Sequence, residues 1–197
     1  DGLNIRYPDT PNAQDERMHH YKIEAVRAFS RVNKLDRIVW NGNNARIGVV
    51  SVGKSYQDTM LALEEIGIKK QDADHLGLRL YKVLMPWPLE VEGIIEFSEG
   101  LDLIIVVEEK RAIIEPQIKE ILYETLFNPK VIGKTDENGM ITYDYKGNST
   151  DQLIDLTLNI EAVASITLPQ NYHSTGFTNT RTLRRLCGRS RLALTTL

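Results

Sequence analysis

Two short segments of the chain hold side chains whose types and spacing could do chemistry. The first is Glu108-Glu109-Lys110-Arg111, which closes the apolar run Leu103–Val107. Paired carboxylates can work as acid and base on a bound substrate. A buried strand that delivers consecutive charges at its carboxyl end either forms a polar junction or carries a site. Adjacent residues of an extended chain point to opposite faces, so Glu108 and Glu109 are not expected to share one proton. An ion-pair cluster at a sheet edge or domain interface is the plainer reading of these charges. Glu115, just beyond, is expected to supply negative charge to the start of the next helix.

The second segment is Gly53-Lys54-Ser55. Together with Gly48-Val49-Val50-Ser51-Val52 it matches, letter for letter, the phosphate-loop pattern GxxxxGK followed by Ser or Thr. That pattern works only if its four middle residues wrap as a loop and expose backbone N–H groups to phosphates. Three of those four are valines, which prefer extended chain. The expectation is therefore a strand into Val52 and a strand-to-helix turn at Gly53-Lys54-Ser55, where the helix N-terminus would welcome an anion. Other candidates are weaker. His19 and His20 lie about 100° apart on a helix and make a poor metal pair. His75 and His173 have no partner in sequence that suggests a triad. Cys187 lacks the surroundings of a nucleophile. The arginines of 181–191 have no interleaved aromatics, so a solvated tail is the plainer reading than a polynucleotide site. Trp87, between two prolines, reads as a packing corner.

The elements that must position these groups alternate between strand and helix. Residues Asp1–Asn12 read as an extended arm, with Pro8 and Pro11 denying it regular hydrogen bonding. A helix follows over 13–34, with Met18, Tyr21, Ala25, Phe29 and Val32 on one face. Arg37–Trp40 is a short apolar run, Asn41–Asn44 a turn, and Arg46–Val52 a buried strand. The spacing predicts a helix over 54–66, with Tyr56, Met60, Leu63 and Ile66 as its inner face and Gly67 ending it. A polar linker spans Lys69–His75. Strands are expected at Leu78–Met85, Leu103–Val107 and Lys130–Ile132, and helices at 90–98 and 116–126. Residues 135–147 suggest a small hairpin, and 150–164 a last helix with Ser149-Thr150-Asp151 at its N-cap. Alternation of this kind indicates an α/β domain with a largely parallel sheet covered on both faces.

Composition narrows the class. The chain has 197 residues, 42% of them hydrophobic and 26% charged, which suits one globular domain with short extensions. Its net charge of −3 hides an asymmetry: Ala162 to the end holds five arginines and no acid, leaving −3 − 5 = −8 on the rest. An acidic body argues against nucleic-acid binding. No run reaches the roughly 18 apolar residues of a membrane span, and the amino terminus lacks a signal-peptide core. One cysteine excludes an internal disulfide or a cysteine-ligated metal within one chain. The expectation is a cytoplasmic chain, without membrane or nucleic-acid partners, excised from something longer.

Several stretches together resemble one family. They are GLNIRYPDTP at the start, IGVVSVGKSYQDTMLALEEIGI at 47–68, LGLRLYKVLMPWPLE at 76–90 and LDLIIVVEEKRAIIEPQIKEILY at 101–123. The resemblance is to the 2-oxoacid:ferredoxin oxidoreductases, and within them to the indolepyruvate ferredoxin oxidoreductases, over the domain similar to the transketolase C-terminal domain. It implies a three-layer α/β/α sandwich with a five-stranded, mostly parallel mixed sheet whose antiparallel edge strand would be Arg37–Trp40. The domain would span 13–165, after an arm at 1–12 and before an Arg/Thr-rich extension at 166–197.

The resemblance also implies a parent enzyme that oxidatively decarboxylates an arylpyruvate such as indolepyruvate. It would use thiamine diphosphate with Mg²⁺, coenzyme A as acyl acceptor, and 4Fe–4S clusters passing electrons to ferredoxin. This segment is expected to bind none of them, since clusters need several thiolates and Cys187 stands alone. Lys54 and Glu108, Glu109, Lys110 and Arg111 would face neighbouring domains or subunits, as interface ion pairs or support and not in proton transfer. A homo-oligomer is expected. Past Ile166 the family would bring a cysteine-rich approach to the next domain. The Arg/Thr-rich tail stands there instead, either as a divergent linker or as the product of an interrupted reading frame. Two readings stay open beside this one: an anion- or nucleotide-binding module using Gly53-Lys54-Ser55, and an interaction protein working through its basic tail.

Overall fold

The computed structural model describes residues 3–4, 7–109, 111–123, 125–126 and 128–135. The hairpin, the last helix and the tail expected from the sequence lie outside the described residues, as do Lys110, His173 and Cys187.

Five strands form one sheet: β1 (Arg37–Asn41), β2 (Ile47–Val52), β3 (Leu78–Val83), β4 (Leu103–Val107) and β5 (Lys130–Ile132), in spatial order β1-β3-β2-β4-β5. Only β1 is antiparallel, paired with β3 at the edge as expected, with a bulge between Ile38 and Trp40. The other pairings are parallel, and the sheet is the five-stranded, mostly parallel mixed sheet that the resemblance implies.

The strands read as unbroken apolar runs because both faces are covered. Successive side chains alternate between two cores. Val50, Tyr81, Ile104 and Val106 belong to one, with Ile94 and Phe97 from α5 (Val91–Ser98) and Ile114, Ile118 and Leu122 from α6 (Ile114–Leu122). Val49, Leu80, Ile105 and Val107 belong to the other, with Leu63 from α3 (Gly53–Glu65). Tyr81 and Phe97 pack as a tilted ring pair, centroids 5.1 Å apart, a geometry aromatic quadrupoles favour.

Several boundaries differ from expectation, each for a local reason. The first helix begins at Pro11, inside the segment read as an extended arm. Thr10 caps it, accepting from Ala13 N–H (3.3 Å), and Pro11 sits at the first position, where its missing N–H costs nothing. That helix is α1 (Pro11–Arg17), a π turn (Met18–Lys22) and α2 (Ile23–Val32). The inner face of α3 is Ser55, Thr59, Ala62 and Leu63, with Met60 and Ile66 beside them and Tyr56 at the margin under the Lys82 ammonium. Small side chains let that helix lie close to the sheet, and they carry no apolar signal in sequence.

The linker expected at 69–75 is folded into a 3₁₀ turn (Lys70–Asp72) and α4 (Ala73–Leu76). The Asp72 carboxylate accepts from Lys69 N–H (2.8 Å), and that of Asp74 accepts from Asn43 N–H (2.7 Å). Strand β3 stops at Val83 and not at Met85, because Leu84 and Met85 both donate their N–H to Asp36 Oδ1 (2.7 and 3.0 Å) and leave the ladder.

Candidate functional site

The strand order places a switch point between β2 and β4. The connection from β2 leads to β3 on one side, and that from β4 leads to β5 on the other. In open α/β sheets this crevice, outside the carboxyl ends of the strands, is the usual place for a ligand. Ser51 of β2 stands beside Val107 of β4 in the ladder. Gly53-Lys54-Ser55 and Glu108-Glu109, separate motifs in sequence, therefore leave the sheet as neighbours.

Glu108 is 2% exposed. Its Oε2 accepts from the N–H groups of Ile113 and Ile114 (2.8 and 2.9 Å), and its Oε1 from that of Glu115 (3.1 Å). The carboxylate thus closes the loop from β4 to α6 and satisfies donors that the helix itself leaves unpaired. A proton acceptor for a substrate would have to break those bonds first. Glu109 is exposed and Arg111 is exposed.

A second carboxylate is buried behind the first. Glu115 Oε2 accepts from Lys134 N–H (2.6 Å), and its Oε1 accepts from the Lys119 ammonium (2.6 Å) and from the Thr135 hydroxyl. Gly133 lets the exit of β5 cross this group: a Cβ there would stand 2.7 Å from Glu115 Oε2. Lys134 is itself buried. Burial pulls its ammonium below the usual lysine range, and Glu108, Glu115 and Glu109 oppose that pull. Glu108 and the Glu115–Lys119 pair are joined by contacts local to the start of α6, while the position of β5 beside β4 brings Lys134 and Thr135 onto Glu115.

The Gly48–Ser55 pattern does not form a phosphate loop. Val49, Val50, Ser51 and Val52 are all paired in β2 with both neighbours or with β3, so their N–H groups are spent on the ladder. Gly48 is needed for packing, since a Cβ would lie 2.5 Å from Leu101 Cδ1 and from Phe97 Cζ. Gly53 turns the chain with φ +54° in open space. Among the described residues no side chain caps the α3 N-terminus. Lys54 is exposed and reaches Asp58 one turn on (2.6 Å). That hydrogen bond raises its ammonium first, and the Asp58 and Glu109 charges add to it.

Besides the exposed charges of Lys54, Glu109 and Arg111, this end of the domain exposes large apolar side chains. Leu84, Trp87 and Ile113 are 47%, 58% and 51% exposed, so Trp87 is not the packed corner expected. Gln117 fixes this rim, a role the sequence did not signal. Its Oε1 accepts from Leu89 N–H (2.9 Å), and its Nε2 donates to the Pro86 and Ile113 carbonyls (2.8 and 2.7 Å). One side chain so ties the Pro86–Leu89 loop to the entry of α6.

A further polar cluster escaped sequence reading. Arg31 donates twice to Glu90 (3.0 and 2.9 Å), and Glu90 accepts from Glu92 and Gly93 N–H (3.1 and 2.6 Å) to cap α5. Asp36 lies near it. Burial raises the Asp36 carboxyl above its ordinary range, and the Met85 and Leu84 N–H groups pull it back. Among the described residues no three His, Cys, Asp or Glu side chains gather as a metal site, and no helix is long and apolar enough to cross a membrane.

Comparison with known proteins follows the same line. A family model described as the indolepyruvate oxidoreductase domain matches residues 37–165. The indolepyruvate oxidoreductase subunit IorA of Pyrococcus abyssi is 24% identical over 131 residues, 66% of this chain and 19% of that protein. Its counterpart in Methanothermobacter thermautotrophicus is 26% identical over 124 residues, 63% of this chain and 19% of that protein. The chain therefore spans about a fifth of the length of these relatives. Among solved structures, a split gene transketolase, an inactive beta4 tetramer, aligns with TM-score 0.48 and 12% identity over 68% of this chain and 42% of that one. The 2-oxoglutarate:ferredoxin oxidoreductase from Magnetococcus marinus aligns with TM-score 0.45 and 15% identity over 81% of this chain and 24% of that one. With 37–165 making up well over half of its residues, the chain belongs to the indolepyruvate oxidoreductase domain family.

Proposed function

We propose that this domain is a bracing and interface module of a 2-oxoacid:ferredoxin oxidoreductase, and that the oxidative decarboxylation is carried by neighbouring domains or subunits. One observation carries the reading. At the switch point, where a ligand would be expected, Glu108 is spent on three backbone N–H groups of its own chain. What the same end offers outward is apolar surface at Leu84, Trp87 and Ile113, bordered by Lys54, Glu109 and Arg111. Aromatic and aliphatic side chains ringed by charge are the composition of an interface core and rim.

The substrate on this reading is an arylpyruvate, indolepyruvate first among them, and ferredoxin takes the electrons. A single cysteine supplies too few thiolates for an iron–sulfur cluster within one chain. On this reading thiamine diphosphate, the clusters and coenzyme A are held by the neighbouring domains or subunits. The test is made in the complete oxidoreductase. Trp87→Ser with Ile113→Ser is expected to weaken its assembly and lower turnover, while the isolated variant domain melts as the unaltered one does. Unchanged assembly, or arylpyruvate turnover by this chain alone, would overturn the reading.

The anion-binding alternative has one observation in its favour, the α3 N-terminus with no side-chain cap next to Lys54. Saturable phosphate or ATP binding that Lys54→Ala abolishes would establish it.

A further inference from the structure

The helix running through α1, the π turn and α2 adds nothing to either apolar core. Among the described residues, none of its side chains belongs to the two clusters or packs against them. Met18, Tyr21, Phe29 and Val32 are exposed, and the buried residue of the helix is a serine, Ser30. The bonds that hold it to the domain are polar and lie in the last two turns of α2. Arg27 donates to the Leu89 carbonyl (3.2 Å), and the Ser30 hydroxyl donates to Asp36 Oδ2 (3.4 Å). Arg31 donates twice to Glu90 Oε1 (3.0 and 2.9 Å) and pairs with Glu92 (2.9 Å).

These bonds converge on one loop. Asp36, which Ser30 touches, gives its other oxygen to the Leu84 and Met85 N–H groups at the start of that loop. At its end, Arg27 takes the Leu89 carbonyl while Gln117 takes the Leu89 N–H from the far side. Arg31 takes the next residue, Glu90, whose carboxylate also caps α5. The segment that presents Leu84 and Trp87 is therefore gripped at both ends by groups that α2 touches.

We propose that the N-terminal helix is a detachable strap. It opens from the domain without unfolding the sheet, and its docking sets the shape of the 84–90 loop, with Arg31 as the positioning residue. Helices in proteins draw most of their stability from packing an apolar face, and an element with few buried apolar contacts opens at low cost. Salt screens exposed charges most. The Arg31 and Glu92 side chains are 41% and 67% exposed, and that of Glu90 is 4% exposed. Ionic strength, or a charged group that competes for Arg31, thus loosens the strap before it reaches the apolar cores. The loop's part in an interface rests on the bracing reading above, whereas the opening of the strap does not.

Amide hydrogen exchange of the full chain, read residue by residue, tests this. Arg31→Met keeps an apolar stem and removes the charge. It is expected to speed exchange about tenfold at the amides of α2 and, together with them, at Leu89, whose bond to Gln117 reports the shape of the loop. Amides of β2 and β4 should keep their rates. Raising salt to about 1 M should speed α2 and Leu89 in the unaltered chain, and far less in the variant. Arg31→Lys, a charge without the fork, should recover part of the protection. If Arg31→Met loosens the whole chain, Glu92→Gln at an exposed position should give the same pattern at about twofold. Unchanged α2 exchange in both variants would overturn the proposal. So would faster α2 exchange with Leu89 unchanged, since the strap would then not position the loop. Equal acceleration of α2 and the strands in both variants would also overturn it, since helix and sheet would then open together. If exchange follows the proposal while the Trp87 and Ile113 changes leave assembly intact, the interface reading fails and the strap stands.

Discussion

The crevice at the carboxyl ends of the strands and the N-terminal helix distribute their side chains in opposite ways. In the crevice, charged groups point inward: Glu108 and Glu115 are each 2% exposed and Lys134 is 5% exposed. On the helix, apolar groups point outward and arginines point in. The difference shows two ways in which burial and polarity come apart. A carboxylate tolerates burial when backbone N–H groups and a helix end supply what water did. An apolar stripe has no such local remedy, because only another surface can remove it from water. The first arrangement is complete within one chain, and the second asks for a partner.

That contrast can be broken most sharply at Glu108. Glu108→Ala leaves three N–H donors unpaired and is expected to cost about 3 kcal/mol, while Glu109→Ala, one residue on and exposed, should stay within about 0.5 kcal/mol. Urea unfolding followed by circular dichroism measures both, and equal losses would mean that the cap is not what holds α6. The two glycines of the phosphate-loop pattern come next. Gly48→Ala forces a methyl against Phe97 and Leu101 and should cost about 2 kcal/mol as overpacking. Gly53→Ala should cost about 1 kcal/mol, from its left-handed backbone alone. Calorimetry with ATP should show no saturable binding before or after either change. Binding lost with either glycine would restore the phosphate reading.

A smaller effect is expected at Asp36, whose carboxyl burial holds above the ordinary range. The folded state then binds more protons than the unfolded one between the ordinary value and the raised one. Stability contributed by this group is present below that window and is lost as pH rises through it. Asp36→Asn keeps an oxygen for the Leu84 and Met85 N–H groups and should remove that decline. Melting curves for both chains from pH 4 to 7 should diverge through the lower part of the range and run parallel above it. A constant gap would mean that Asp36 is not the group responsible. Smallest of all, Phe29→Ser on the outward stripe should change the stability of dilute protein by no more than about 0.5 kcal/mol. A larger loss would show that the stripe packs within its own chain.

The strands were legible because their physics is local to the strand. Runs such as Leu103–Val107, apolar on both faces and ended by charge, have few other folded solutions. Helix existence was legible from periodicity, and the ends of strands and helices less so, since Asp36 Oδ1 ends β3 and Thr10 starts α1 through contacts no periodicity records. On the inner face of α3, Leu63, Met60 and Ile66 were legible, while Ser55, Thr59 and Ala62 were missed because they are chosen for size, and size is invisible to a hydrophobicity pattern. The short α4 was read as linker because its order comes from the Asp72 and Asp74 carboxylates.

By itself the sequence determined the α/β class, the strand runs and, through resemblance, the family and its antiparallel edge. It also determined that Glu108 and Glu109 would diverge, since alternation along an extended chain depends on nothing else. Only the tertiary structure decided which of the two is buried, that Glu108 serves the N–H groups of residues 113–115, and that Glu115 and Lys134 join beneath it. It alone decided that the apolar stripe of the first helix faces away from its own sheet. Periodicity fixes which side chains share a face. The direction of that face depends on which neighbouring groups can satisfy it, and those neighbours meet only when strands far apart in the chain lie side by side.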